Sequence, residues 1–448
     1  MAAYQLQSKL ASGGFCEVWT AQLQRLPSSA THDDHDSSVL PSSSSSNSST
    51  TSTLVAIKKL LDTNHPDHQP SHAEQPIQPK GLHHLLTEYK VLQQLHHPNI
   101  VSLVDALHIG DHHNDNQSPI IASPLKQDNN NNTEQSIRKS PQKRCLSNSA
   151  RNEDDQVNEP SVQSQQDKEN HSSVNQSDFI NRQVHPSSPI KPESEMNSPH
   201  SDGPLPQINA LALEFCPHGE LWEHLRMTGR MDEILSRTIM IQLLSAVKYC
   251  RDQGVCHRDI KPEQIVFGPQ FEAKLVDFGL ASQFPPSSSS SSSPSNQFTF
   301  LSSARFGTRE FHSPEIELGV GEYDVLKAEV WSCGLTLFFM LYGFPAFNHV
   351  SFRDRWFADF YHADRSNYWS RIKNYVEKTE FAPSNNITPE AEDLLKKMLS
   401  VDPAHRLSLD QIEEHDWFGG PTFNGEELQA HMKMRFQRLQ EIKQKEIH

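Results

Sequence analysis

Hydrophobic residues are scarce in this chain. They make up 35% of its 448 residues, and the mean hydropathy is -0.65. That deficit excludes tight packing along the whole length and predicts long disordered stretches. Six cysteines, Cys16, Cys145, Cys216, Cys250, Cys256 and Cys333, show no paired C-x-x-C spacing. They argue against a disulfide framework or a zinc site and for a reducing compartment, cytoplasm or nucleus. No secretory leader is expected, because Met1 opens a polar segment. The longest apolar run, residues 334–342, is too short to cross a bilayer, so no membrane association is expected. Basic residues number 40 against 56 acidic ones, and the net charge of -16 argues against wholesale nucleic-acid binding. The 25 histidines are scattered, many in polar tracts, and read as composition rather than metal ligands. The length suffices for a catalytic domain of about 250–280 residues plus extra material.

What is present is a set of short motifs in a fixed order. Residues 256–266 read C-H-R-D-I-K-P-E-Q-I-V, a loop with a carboxylate (Asp259), a lysine (Lys261) and an amide (Gln264) at set offsets. Asp277-Phe278-Gly279 follows directly on the apolar run 273–276. Two acids on neighbouring turns, with a lysine beside the first, suit a site that aligns a hydroxyl against a metal-bound phosphate. Upstream, residues 6–18 read strand, turn, strand around Leu10, Ala11, Ser12, Gly13, Gly14, Phe15, Cys16 and Val18. Residues 54–58, L-V-A-I-K, read as a short buried strand ending in Lys58. A helix is expected over about 81–95, with Leu85, Leu86, Tyr89, Leu92 and Leu95 on one face and Glu88 among them. A strand should follow at 101–107 and another at 208–216. Residues 234–253 carry helical spacing, and Gly254 suits the end of that helix.

Taken together, these motifs resemble the eukaryotic protein kinases: H-R-D-x-K-x-x-N, D-F-G, V-A-I-K and a glycine-rich loop in the right order. The resemblance covers about residues 4–24, 54–61, 80–108 and 208–420. It implies an α+β, bilobal fold: a small, mostly antiparallel lobe over 4–213 and a large, mostly helical lobe over 217–420. Disordered inserts are expected at 25–53, 62–79 and 109–207, where Ser, Asn, Gln, Asp and Pro crowd out core-forming residues. A Ser-rich activation segment spans 277–315. Residues 421–448 should form an amphipathic helix, with Leu428, Met432, Phe436, Leu439 and Ile442 at helical spacing, docked on the large lobe.

The same resemblance implies ATP and Mg²⁺ as cofactors and assigns roles. Asp259 would accept the substrate's hydroxyl proton and Lys261 would steady the phosphate. Asp277 and Gln264 would hold Mg²⁺. Lys58, braced by Glu88, would hold the α- and β-phosphates. Leu213 would be the gatekeeper, with Ala56, Val266 and the backbones of Glu214 and Cys216 around adenine and Glu220 near ribose. Lys261 and Thr308 point to serine/threonine specificity, with protein substrates for a monomeric enzyme. Glu220 and Glu263 match positions that select basic residues upstream of the target. The large lobe looks most like the calcium/calmodulin-dependent, AMP-activated and checkpoint kinase group. Glu315 should pair with Arg406.

Four positions depart from the pattern. Ala11 and Cys16 replace glycines, Gln264 replaces the asparagine, and Glu329 replaces an aspartate that braces the catalytic loop. They leave open an alternative, a weakly active or inactive pseudokinase scaffold. Arg258 would gather an activating phosphate, from Ser303 or Ser302 before Thr299, because Ala304 occupies the usual site. In the long insert, Ser123, Ser140 and Ser188 each begin S-P-x-K, which resembles targets of proline-directed cell-cycle kinases. Lys168-Glu169-Asn170 resembles a degron read by a ubiquitin ligase. Both imply cell-cycle regulation.

Overall fold

The structure, a computed structural model, describes residues 2–12, 15–25, 53–60, 80–109, 120–122, 208–284, 299–319, 321–361, 366–378 and 387–447. All of them belong to one structural unit, 1–125 with 199–448.

A six-stranded sheet, in the order β4-β6-β3-β2-β1-β5, forms the small lobe. Its strands are β1 (Ala2–Ser12), β2 (Cys16–Arg25), β3 (Thr53–Leu60), β4 (Leu103–Leu107), β5 (Ile120–Ala122) and β6 (Ala210–Glu214). Every neighbouring pair is antiparallel. The register puts Val55 and Ile57, alternate residues of β3, on the buried face, together with Tyr4, Ala21, Leu107, Ala210 and Ala212. β1 and β2 are longer than the expected hairpin, and two register shifts, at Leu6/Ser8 and Lys9/Ala11, bend β1 toward its tip. Helix α1 (Lys80–Leu92) ends before Leu95, which is buried in the turn that follows. Leu85 and Leu92 bury its inner face.

One expectation is corrected. The insert of 109–207 is not wholly outside the fold: its residues 120–122 pair with the N-terminal end of β1, Ala2 opposite Ala122. A strand edge presents unpaired N–H and C=O groups, and this short segment covers them. Asn209 accepts the Ile109 N–H at 2.7 Å and donates to the Ile109 carbonyl at 2.6 Å, so the two sides of the insert are pinned together. The rest of the insert, including Ser123, Ser140 and Ser188, lies outside the described residues, as do 26–52 and 61–79.

The large lobe is mostly helical. After α2 (Leu221–Thr228) comes α3 (Glu233–Asp252), where the Asp232 carboxylate accepts the Leu235 N–H at 2.8 Å at the N-terminus. Gly254, with φ +70, lets the chain leave α3. Strands β7 (Val255–Cys256), β8 (Ile265–Phe267), β9 (Ala273–Leu275) and β10 (Ser282–Gln283) frame the catalytic loop. Further on, β11 (Leu301–Ser302) pairs with β12 (Tyr323–Asp324), and a short helix α4 (Pro314–Glu317) lies between them. Helix α5 (Val325–Tyr342) is long and apolar enough to cross a membrane by length and composition, but 89% of it is buried inside the protein. It is the core helix of the lobe, capped by Asp324 and ended by Gly343 at φ +79. Helices α6 (Arg355–Tyr361), α7 (Ser366–Lys378), α8 (Pro389–Met398) and α9 (Leu409–Glu413) complete the lobe. Helix α10 (Gly425–Ile447) packs on α2, and its Leu428, Met432 and Leu439 are buried. Its Arg435 donates to the carbonyls of His224, Gly229 and Arg230 at the C-terminal end of α2.

Candidate active site

The catalytic loop is shaped from below. Arg258 adopts φ +65, and two successive amides just before that turn, His257 N–H and Arg258 N–H, converge on one acceptor, Glu329 Oε1 on α5, at 2.5 and 2.9 Å. The longer side chain at this position therefore still braces the loop. Burial outweighs those two bonds and pushes the Glu329 carboxyl up to about 7. Above the loop, the His257 ring donates to the Val276 carbonyl at 2.8 Å and accepts the Asp259 N–H at 3.2 Å. That pattern requires the neutral ring, and burial lowers its pKa. Phe278 is fully buried and meets the His257 ring edge-on at 4.7 Å. Leu92 is buried and Leu103 packs against the same core.

The charged centre spans both lobes. Lys58 Nζ on β3 lies 2.6 Å from Glu88 Oε2 on α1 and 2.7 Å from Asp277 Oδ1. Burial alone would discharge Lys58, but the two carboxylates outweigh it and hold the ammonium charged. Burial likewise opposes charge on Asp277, and Lys58 overcomes it, drawing the carboxyl down to about 2. Glu88 is pushed up by burial, against the pull of Lys58.

On the substrate side, the Thr308 N–H and hydroxyl both donate to Asp259 Oδ1, at 2.8 and 2.7 Å. Lys261 Nζ donates to the Thr308 hydroxyl at 2.6 Å and sits 2.9 Å from Asp259 Oδ2. Gln264 Nε2 lies 3.5 Å from Asp259 Oδ2 and 3.3 Å from Asp277 Oδ2. The added methylene thus lets this amide bridge the two acids. A hard cation such as Mg²⁺ needs only one or two protein carboxylates besides phosphate oxygens and water. Asp277, ionised, with the Gln264 amide beside it, fits that demand.

The adenine side is drawn from β6 and the segment after it. Leu213, 8% exposed, pairs with Ala56 across the sheet and with Leu103. The Glu214 N–H donates to the Ser102 carbonyl at 2.9 Å. Cys216 is half-buried, and burial pushes its thiol up to about 12. Val266 bridges to Glu220. Leu10 and Phe15 are exposed at the tip of β1–β2, and the Phe15 ring meets His84 of α1 edge-on at 5.7 Å. Ala11 pairs with Val18 and Ser12 with Glu17, while Gly13 and Gly14 lie outside the described residues. Burial pushes the Cys16 thiol up to about 11.

Two expectations about the activation segment fare differently. Arg406 and Glu315 form a bidentate, fully buried ion pair at 2.7 and 3.0 Å. Ser302, by contrast, is 3% exposed on β11, and its hydroxyl accepts the Ala304 N–H at 3.3 Å. A modifying enzyme cannot reach it there, so Ser302 is corrected from an activating phosphosite to a structural residue. Ser303 and Thr299 are exposed. Sequence reasoning also missed Phe306, which lies beside Arg258.

Residues 205–418 match the family model for the protein kinase domain. A probable serine/threonine-protein kinase of Dictyostelium discoideum is 31% identical over 208 residues, 46% of this chain and 21% of the relative. CBL-interacting serine/threonine-protein kinases 20 and 16 of Arabidopsis thaliana are 31% and 32% identical over 207 and 206 residues, 46% of this chain and 41% and 40% of theirs. The chain thus spans less than half the length of these curated relatives. Over this stretch, which carries the catalytic loop and Asp277, the chain is similar to serine/threonine-protein kinases.

Proposed function

We propose that the protein transfers the γ-phosphoryl group of ATP to Ser or Thr hydroxyls of other proteins. The observation that carries this is Lys58, bonded at once to Glu88 and Asp277. Three charges from β3, α1 and the turn after β9 meet only when both lobes are in register for catalysis. Bound Mg²⁺-ATP supplies the phosphoryl group and neutralises charge that develops on it. The chain's residues do the rest. Lys58 holds non-transferred phosphate oxygens, and Asp277, kept ionised, offers its carboxylate to the cation. Asp259, fixed through Oδ1 by Thr308, takes the hydroxyl proton on Oδ2, beside which Lys261 Nζ lies at 2.9 Å. Lys261 balances the charge beside it.

A preference for basic sequences upstream of the target is part of the proposal. Glu220 is pushed up to about 7 by burial and by the nearby Glu223 and Glu263. A cation from a substrate would relieve that crowding, and Lys443 of α10 already pairs with Glu223 at 2.7 Å. Cell-cycle control through Ser123, Ser140, Ser188 and the Lys168-Glu169-Asn170 triplet is also proposed, from sequence alone, with cytoplasm or nucleus as its place.

The deciding measurement is transfer of labelled phosphate to a peptide library by wild type and by Asp259→Asn. Loss of the base should lower transfer about 10³-fold, with melting temperature and Mg²⁺-ATP binding retained. Equal incorporation by the two proteins would end the enzymatic reading and leave the scaffold alternative.

A further inference from the structure

We propose that Phe306 takes the place of an activating phosphate: stacked on Arg258, it holds the activation segment against the catalytic loop without any modification. This rests on the kinase activity proposed above. The guanidinium carbon of Arg258 lies 4.0 Å from the centroid of the Phe306 ring, and Arg258 Nε donates to the Leu280 carbonyl at 2.8 Å. A phosphate would satisfy such an arginine by bringing negative charge to it. An aromatic face offers its negative quadrupole instead, and offers it permanently.

The next two residues show what the stacking positions. Gly307 has φ +95, and a Cβ there would stand 2.5 Å from the Arg258 carbonyl oxygen, so only glycine lets the segment lie this close. Thr308 then bonds Asp259 through both its N–H and its hydroxyl. Residues 306, 307 and 308 thus touch, in order, the Arg258 side chain, the Arg258 backbone and the Asp259 carboxylate. Phe306 is therefore a positioning residue, acting on Asp259 through its neighbours.

The upstream part of the segment is anchored by contacts that also need no added charge. Phe284 and Phe300 stack at 4.6 Å, only 3° from parallel. Leu301 and Ser302 pair with Asp324 and Tyr323, and the Tyr323 hydroxyl donates to the Ala304 carbonyl at 2.6 Å. Ala304, at the position where the resemblance places the phosphosite, has no hydroxyl, and Ser302 is buried. The stacked rings, the short ladder and the Tyr323 bond hold this part of the segment with its own residues.

The test uses the full chain, first treated with a broad phosphatase. Treated and untreated protein, and Ser303→Ala, should turn over within about twofold of one another. Phe306→Ala should lower kcat about tenfold while the KM for ATP moves little, and Phe306→Tyr should restore the rate. Deuterium exchange of residues 301–309 should rise in Phe306→Ala and return to the wild-type level in Phe306→Tyr. Loss of activity on phosphatase treatment would overturn the proposal, as would unchanged exchange in Phe306→Ala. Should wild type itself transfer no phosphate, the kinase reading falls, and the exchange comparison alone decides the role of Phe306.

Discussion

In the large lobe, α5 buries nearly every one of its side chains, and one continuous core joins it to α3, α8 and the strands around the catalytic loop. In the small lobe, one face of the sheet rests on a separate, small cluster around Tyr4, Val55, Ile57 and Leu107, while α1 and Ala106, Leu211 and Leu213 join the larger core. The family model matches residues 205–418, and so takes in the first lobe and only β6 of the second. Yet β3 and α1 deliver Lys58 and Glu88 to the same charged centre that the large lobe serves with Asp277. A dense core constrains sequence at many positions at once, because each side chain touches several others. An antiparallel sheet constrains mainly its alternation and register, and long connections between strands cost little. The small lobe can therefore keep its geometry while its sequence is cut apart by inserts.

The largest effect should come from cutting the link between the lobes. Lys58→Met should lower transfer by about 10²–10³-fold. Unlike Asp259→Asn, it should also abolish the thermal shift produced by Mg²⁺-ATP, since Asp277 and Glu88 lose the cation that orders them. A normal nucleotide shift in Lys58→Met would mean that the small lobe contributes less to the site than its geometry implies.

Next comes the large-lobe core. Arg406 is fully buried and bonds Glu315 twice, together with the Ser400 and Lys327 carbonyls. Arg406→Leu strands the Glu315 carboxylate in the core and should cost about 3–5 kcal/mol in urea unfolding. The double variant with Glu315→Leu should recover part of that loss. A cost under about 1 kcal/mol would show the large lobe to be less tightly specified than its packing suggests.

A smaller effect is expected from pH within the large lobe. Glu329 sits in the large-lobe core with its carboxyl raised by burial from 4.5 to about 7. Between those values the folded chain keeps a proton that the unfolded chain has released. Stability therefore falls as pH rises through that window, and levels off above about 7. Asp277 has the opposite sign: its carboxyl is drawn down from 3.8 to about 2, so its contribution is complete above 3.8 and is lost as pH falls toward 2. Glu329→Gln keeps an oxygen for the His257 and Arg258 amides but removes the titration. Its unfolding free energy should decline less between pH 5 and 7, at about the same pH values as wild type. An identical slope in the two proteins would show that Glu329 does not titrate in that window.

The parts of the site that lie within one short motif were legible. Asp259, Lys261, Asp277 and Thr308 stand at fixed offsets from neighbours that shape their own turns, and Lys58 lies in a strand whose alternation is plain, although β3 runs on to Leu60 instead of ending at Lys58. The ion pair of Arg406 with Glu315 was reached only through the family resemblance, since nothing local connects two residues so far apart. What stayed hidden depends on long-range approach. Nothing in I-I-A at 120–122 distinguishes an edge strand from any apolar triplet in a polar tract; its partner, β1, lies more than a hundred residues away. Phe306 reads as an ordinary aromatic until Arg258 takes its left-handed turn and brings the guanidinium over the ring. Glu329 looked too long by one methylene, but side-chain reach is decided by where α5 sits, which the sequence does not state.

The smallest expected effect tests the comparison most directly. The long insert enters after Ile109 and leaves before Asn209, and these two residues bond each other reciprocally, at 2.7 and 2.6 Å. The Leu60 N–H also donates to the Asn209 carbonyl at 3.0 Å, which ties the clamp to β3. The sheet thus closes across the mouth of the insert, and β5 is the one described strand that the insert adds to it. Replacing residues 126–198 with a short Gly-Ser linker leaves β5, the clamp and both flanking strands in place. Closing a loop costs more as it lengthens, but only about 0.6 kcal/mol per doubling. The shortened protein should accordingly match the full chain in stability to within about 1–2 kcal/mol, the shorter loop being the more stable, with peptide phosphorylation unchanged. Asn209→Ala in the full chain should do more harm than the whole deletion, about 1–3 kcal/mol, because it leaves the Ile109 N–H and carbonyl without their partner. Paired denaturant melts of the two variants decide the matter. If the linker variant is the less stable of the two, the insert packs on the small lobe, and the contrast between a densely determined lobe and a merely registered one fails.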